Sequence, residues 1–312
     1  MLRTDLVAHI DPRLGARVVG ARTLRYDEPS VPGEDRPDHV RAASGLAVTG
    51  KRIVVIQDDT SFLAVVTSDG VSAIALPRGP DGRRRFEVAL GNKAEKLDLE
   101  ACVAIDDVLW AFGSGSTPRR ERICQVAGGH PELHDAPQLY AILRAAVGGS
   151  LNIEGVACVA SELWLFHRGN TGAADPGPAI LRVSLPGLCA MLGDATQVPS
   201  VLELRRCDLG RLGSTRLGFT DAFAHGDRVY YLAAAEASPN AVDDGAVLGS
   251  QLGVILGNTA RATPLHGPSG APIKAEGLAL DPARPGHALI AIDPDDPDRA
   301  ATLYEVELTG PW

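Results

Sequence analysis

No stretch of this 312-residue chain approaches 18 uncharged apolar residues, so it offers no candidate for a membrane-spanning helix. The N-terminus, Met1-Leu-Arg-Thr-Asp-Leu-Val-Ala-His-Ile-Asp, is broken by charge too often to hold the apolar region of a signal peptide. Cysteines are few, odd in number (102, 124, 158, 189 and 207) and never spaced Cys-x-x-Cys. That argues against a disulfide framework and for a cytoplasmic protein; Cys102 and Cys158 read as small buried hydrophobes. Positive charge is not in excess either. With 39 acidic against 30 basic residues the net charge is −9, and nucleic acid is not an expected partner. Aromatics make up only 4%, whereas 34 Gly, 22 Pro and a hydrophobic fraction of 45% describe a chain with many turns and enough apolar mass for a core. No Gly-Lys-Ser/Thr phosphate loop, His-Glu-x-x-His or Gly-x-Ser-x-Gly elbow occurs, which removes three common catalytic signatures.

What is present is a repeat. Five segments open on a hydroxyl or acidic residue followed by a short apolar run: Ser44-Gly-Leu-Ala-Val, Glu100-Ala-Cys-Val-Ala, Glu154-Gly-Val-Ala-Cys, Asp221-Ala-Phe-Ala-His and Glu276-Gly-Leu-Ala-Leu. A polar break follows each, then a more strongly β-prone run such as Arg52-Ile-Val-Val-Ile, Glu162-Leu-Trp-Leu-Phe or Arg228-Val-Tyr-Tyr-Leu. A self-similar unit of about 40–55 residues built from short strands predicts a β-propeller, one unit per blade.

The fold expected is therefore all-β, a single domain over residues 1–312 with five blades opening near 44, 100, 154, 221 and 276. The third unit has room for four strands, at 154–159, 162–166, 179–185 and 200–204; the first continues with 62–66 and 71–76. The fifth reaches only three, ending in Thr302-Leu-Tyr-Glu-Val-Glu-Leu. Residues 1–43 hold no opener, but Ala16 to Tyr26 carries a strand pattern. It is expected to complete the last blade and remove the seam of the ring. Residues 131–147 break the strand rhythm and, from His134 onward, show helical spacing; residues 185–193 suggest a second short helix. The fourth unit is lengthened by a loop at 236–245 that is rich in turn residues.

Homologous positions on the innermost strands of a propeller face one axis. Ser44, Glu100, Glu154, Thr220 or Asp221, and Glu276 would then form a ring. Carboxylates gathered this closely need raised pKa values or a cation, since like charges at ~4 Å repel by roughly 4 kcal/mol at an effective dielectric of 20. Hard oxygen ligands on a rigid frame suit Ca²⁺ better than zinc. Fourteen residues beyond the first three openers come Asp58, Ser114 and Arg168, with Glu236 and Asp293 as the counterparts in the last two units. Around these lie Asp59, the Gly113-Ser-Gly-Ser-Thr loop with Ser114 and Ser116, Arg119, Arg120 and His167. Amides, hydroxyls and guanidinium groups there suit a small anionic molecule. Lys93 and Lys96, in Asn92-Lys-Ala-Glu-Lys ahead of Glu100, and Lys274 stand beside the ring and would neutralise it in part.

The order Ser44, Glu100, Glu154, hydroxyl at Thr220, Glu276 resembles the central ring of the calcium-activated nucleotidase (soluble apyrase) family. Similar flanks include Asp58-Asp59, Lys93, His167-Arg168, Gly218-Phe219-Thr220 and Glu276-Gly; the likeness spans about residues 40–295 and overlaps the wider phytase-like and esterase-like propellers. Asp221 departs from it, and so does the absence of a secretion signal. The resemblance implies a five-bladed propeller around one Ca²⁺ that hydrolyses the terminal phosphate of nucleoside diphosphates. Together these readings predict a Ca²⁺-dependent hydrolase of a phosphorylated small molecule. Asp58 or Asp59 would activate water, and Arg168, a loop residue expected to add little to stability, would steady the developing charge. Ser114, Ser116, Arg119, Arg120 and His167 would bind the substrate. The alternatives are a lactone or ester hydrolase on the same metal, and a binding propeller whose Ca²⁺ only locks the blades.

Overall fold

A computed structural model describes residues 1–169, 175–237 and 245–312 of the chain. It begins with β1 (Leu2–Ile10) and β2 (Gly15–Thr23). The first antiparallel meander is β3 (Ala43–Thr49), β4 (Arg52–Gln57), β5 (Phe62–Val66) and β6 (Val71–Ala75). The second is β7 (Leu99–Ile105), β8 (Val108–Gly113), β9 (Arg122–Ala127) and β10 (His130–Asp135), followed by α1 (Pro137–Val147). The third is β11 (Ile153–Val159), β12 (Glu162–His167), β13 (Ala179–Ser184) and, after α2 (Leu185–Gly193), β14 (Val201–Asp208). A short hairpin, β15 (Arg211–Leu212) and β16 (Thr215–Arg216), leads to the fourth: β17 (Gly218–His225), β18 (Arg228–Glu236), β19 (Val247–Leu256) and β20 (Thr259–Leu265). Last come β21 (Ala275–Leu280), β22 (His287–Ile292) and β23 (Thr302–Thr309), with β2 antiparallel to β23 as the fourth strand of that sheet. The first strand of each meander packs on the first strand of the next, and β21 returns to β3. The fold is propeller-like and nearly all-β.

Side-chain alternation explains why the second strands are apolar on both faces. In β4, Val54 and Ile56 join the cluster shared with β7 to β9, whereas Val55 joins the one shared with β21 to β23. In β18, Tyr231 and Ala233 face the third meander, and Tyr230 and Leu232 face the last. Among the described residues one hydrophobic cluster fills each gap between successive meanders. Burial on both faces calls for continuous apolar runs rather than half-polar strands. The edge-to-face contact of Phe219 with Phe166 (centroids 5.0 Å apart) ties the fourth meander to the third, and Tyr231 of the fourth packs edge-on against the same Phe219 ring (5.5 Å).

Three elements differ from the sequence reading. Residues 130–135 form strand β10, not part of a helix. Gly128 and Gly129, with φ of 56° and 85°, make the two-residue turn that folds β10 onto β9. The helix starts only at Pro137, burying Leu139, Tyr140, Leu143 and Val147 and ending on left-handed Gly148 (φ 88°). The N-terminal segment adds a strand that no pattern indicated. β1 runs parallel to β14 through residues 2–7 and parallel to β20 through 8–10, joining the third and fourth meanders into one nine-stranded sheet. Of the loop expected at 236–245, residues 238–244 lie outside the described residues.

Candidate functional site at the mouth of the strand ring

Each first strand carries a β-bulge at the same level, and the extra residue is the ring residue. The register skips Ser44 between Ala43 and Gly45, Glu100 between Leu99 and Ala101, and Glu154 between Ile153 and Gly155. It likewise skips Thr220 between Phe219 and Asp221, and Glu276 between Ala275 and Gly277. A bulge re-aims a side chain out of the ladder. Thr220 is therefore the fourth member of the ring. Asp221 is the next residue along, and its oxygens accept the backbone N–H groups of Ala222 (2.8 Å) and Leu278 (2.7 Å). The two hydroxyls also tie strand to strand: Ser44 Oγ donates to the Leu99 carbonyl and Thr220 Oγ1 to that of Ala275, both at 2.6 Å.

A cavity of about 380 Å³ opens over this ring. Ser44, Glu100, Glu154 and Glu276 line it, with Asp58, Asp59, Arg168, Glu236 and Asp293 from the ends of the second strands and Arg120 from the loop after β8. Thr220 and Asp221 are fully buried beneath it. The remaining sequence candidates are not brought to the cavity. Ser114 is buried behind the wall, where it donates to Asp98 and contacts Ser116 Oγ at 2.9 Å. Arg119 pairs with Glu95 on the surface at 2.7 Å. His167 is fully buried, its Nδ1 contacting the Asn152 backbone and its Nε2 lying 3.5 Å from Asp175.

Sequence reasoning missed Asp98, Asn152, Glu87 and Arg41 of the wall. Asp98, Asn152 and Lys274 stand two residues before a bulge, and their carbonyls accept N–H bonds from Ser114, Arg168 and Asp293. The repeat arithmetic that led to Asp58 and Arg168 finds them when run backwards by two. Asp98 holds φ at 56°, a left-handed conformation that Asp tolerates better than most residues and that marks a constrained site.

Eleven carboxylates and six cationic side chains line the cavity. Lys96 Nζ sits between Asp58 (2.5 Å) and Asp98 (2.6 Å), with Arg120 on the other side of Asp98 at 2.9 Å. Arg168 bridges Glu154 (3.1 Å) and Glu236 (2.6 Å), and Arg41 bridges Asp59 (2.6 Å) and Glu87 (2.9 Å). Lys274 meets Asp295 (2.6 Å), Asp293 (3.3 Å) and Glu276 (3.6 Å). Burial works against the charge of Lys96 and Lys274, but the carboxylates around them overcome it and hold both well above the usual lysine range.

The acids cannot all be matched. Burial, with Asp98, Asp58 and Glu154 nearby, pushes Glu100 well up. Glu276 is likewise raised, mainly by burial, and Glu154 is raised despite Arg168. Burial and the Asp58 charge bring Asp59 to about 7, and burial brings Asp293 to about 6. Among the described residues Glu100 has neither a hydrogen-bond nor an ion-pair partner. Its ligand oxygen lies within 4.8 Å of those of Asp58 and Asp98. The buried Oε1 of Glu276 and Oδ1 of Asp59 accept no hydrogen bond. Such a wall holds protons at neutral pH or accepts a cation, and its all-oxygen donor set fits a hard divalent ion.

Comparison with known proteins bears on the fold. A GH43 glycoside hydrolase, engineered to display both endo-xylanase and exo-arabinofuranosidase activity, superposes with a TM-score of 0.51 at 10% identity. The match covers 93% of this chain and 52% of that one, so this chain spans about half its length. PQQ-bound aldose sugar dehydrogenase from Streptomyces coelicolor gives a TM-score of 0.44 at 11% identity, over 96% and 100% of the two chains. Neither is a calcium-activated nucleotidase. No curated protein matches the chain in sequence. Residues 39–308 match the model of a family of unknown function (DUF6929), and the chain belongs to that family.

Proposed function

We propose that the chain is a five-bladed β-propeller, closed by β2 in the last blade, whose cavity is the site of a Ca²⁺-dependent hydrolase. The blade count is supported by the five first strands that contact one another in a closed cycle. The observation that carries the site is the surplus of buried carboxylates around Glu100, a residue without a partner among those described. Glu100, Glu154, Glu276 and Ser44 would hold the ion, with Asp58 and Asp98 adjoining Glu100. Bound Ca²⁺ would offset the negative wall and polarise a substrate oxygen. Asp59, raised to about 7, is suited to take a proton from water near neutral pH. Arg41 orients it by engaging Oδ2, leaving Oδ1 to accept the proton. Arg168 holds Glu154 and Glu236 in place from within the wall.

A phosphorylated small molecule such as a nucleotide is the substrate this reading favours, because its oxygens suit a calcium ion. One observation favours the second reading, a lactone or ester substrate. Arg41, Arg120, Arg168, Lys96 and Lys274 are all engaged by carboxylates, so an anion would have to compete for every one of them. Turnover assays of nucleotides, phosphomonoesters and lactones with Ca²⁺, Mg²⁺ and Mn²⁺ test both. Phosphate release that is lost on chelation is the expected result. Lactone turnover alone would move the substrate to the second reading, and folded, metal-loaded protein with no turnover would leave a binding propeller.

A further inference from the structure

We propose that Asp221 is a positioning residue for the site: its carboxylate closes the axial channel beneath the ring and sets the placement of Ser44 and Glu276. The residue following each bulge occupies the same level of the ring, and at four of the five positions it is small: Gly45, Ala101, Gly155 and Gly277. The first strands approach too closely there for larger side chains. A Cβ on Gly277 would lie 2.9 Å from Leu46 Cβ and 3.1 Å from the Gly45 backbone, and one on Gly155 would lie 3.0 Å from the backbone of Asp221. The fifth position alone carries a functional side chain, and that side chain is fully buried.

Asp221 bonds its own strand to β21 and stands against a third, β3. Oδ1 accepts the N–H of Ala222 on its own strand, and Oδ2 that of Leu278 on β21 at 2.7 Å. The backbone of Leu46 on β3 also favours the charged carboxylate, although burial pushes Asp221 well up. Strands β3 and β17 are not neighbours in the cycle of first strands, yet they are in contact, so Asp221 reaches across the axis. Leu278 and Leu46 each lie two residues from a ring residue, Glu276 and Ser44. A buried carboxylate satisfied by backbone amides from several strands fixes those strands more firmly than an apolar plug, because leaving any of the amides unmade is costly. Ser44 and Glu276 belong to the two strands so held.

The test uses the intact chain with Asp221→Gly, which installs the small residue found at the equivalent positions, and Asp221→Asn, which keeps the shape and one carbonyl acceptor. Amide hydrogen exchange by NMR and Ca²⁺ titration by calorimetry are both recorded. In the wild type the Leu46 and Leu278 amides should rank among the slowest to exchange. This needs no variant to fold, and rapid exchange of either would overturn the proposal. In Asp221→Gly both should exchange at least about tenfold faster, together with Gly45 and Gly277, and Ca²⁺ should bind at least about tenfold more weakly, with Asp221→Asn recovering part of each loss. Faster exchange confined to Leu46 and Leu278 with Ca²⁺ affinity intact would reduce Asp221 to a structural role and overturn the positioning claim. The Ca²⁺ arm alone rests on the function proposed above. If the wild type binds no Ca²⁺, that reading fails, and exchange at Gly45 and Gly277 decides the positioning claim by itself.

Discussion

Arg168 shows how much a residue's surroundings alter its meaning. As a loop arginine it is expected to matter to chemistry and little to stability, but it is 7% exposed and joins Glu154 to Glu236 inside the cavity wall. Removing one partner of a buried pair strands the others, so Arg168→Ala should destabilise the protein by about 3–5 kcal/mol. Chemical denaturation measures this directly; a loss below about 1 kcal/mol would restore the surface-loop reading. Asp59 and Asp293 give a pH signature. Their folded-state values, about 7 and about 6, stand above the ordinary 3.8, so folding is favoured only while they hold their protons. That contribution is complete below about pH 4 and disappears as pH rises through about 6 to 7. Chelator-treated protein should therefore melt at a higher temperature near pH 5 than near pH 8, with Ca²⁺ narrowing the gap. A melting temperature that rises steadily towards pH 8 without metal would contradict the assignment of these two groups. Asp221 was hard to place from sequence for a related reason. An acid before an apolar run looks like an opener, and only the bulge register shows that Thr220 holds that position.

At the scale of elements, strands buried on both faces were the most legible, because apolar runs such as Ile53 to Ile56 and Leu163 to Phe166 have one stable environment between two meanders. Strand β2 was legible because the final sheet lacked a fourth strand. Strand β1 was not: only Leu6 of its nine residues is buried, and its burial pattern resembles an exposed tail. Its stability comes from backbone pairing on both sides, from Thr4 donating to Glu203 (2.5 Å), and from Asp11 just past its end pairing with Arg261 (3.1 Å). A sequence pattern does not register such bonds. Deleting residues 1–11 should expose the edges of β14 and β20, favour association, and lower the melting temperature by more than about 3 °C, the shift that roughly 2 kcal/mol produces in a chain of this length. An unchanged melting temperature and a monodisperse truncated protein would mean that β1 is dispensable.

For the molecule as a whole, one closed cycle of strands places ring residues from five separate segments at one level, four of them lining a common cavity, which is why an even repeat in the sequence pointed to a site as well as to a fold. The ring carboxylates, Arg168 and the lysines just ahead of Glu100 and Glu276 were visible in that repeat; Asp98 and Arg41 were not, because Asp98 precedes its opener and Arg41 pairs with Asp59 and Glu87 outside the repeating strands. Whether a divalent ion completes this array or the ammonium and guanidinium groups suffice is the central question. Crystals grown with Ca²⁺, and in parallel with Mn²⁺ for its anomalous signal, answer it most directly. The account predicts one peak at the mouth of the ring, about 2.3–2.6 Å from oxygens that include Glu100 when Ca²⁺ is bound. A cavity holding only water, with Lys96 still between Asp58 and Asp98 and no anomalous peak near Glu100, would contradict it.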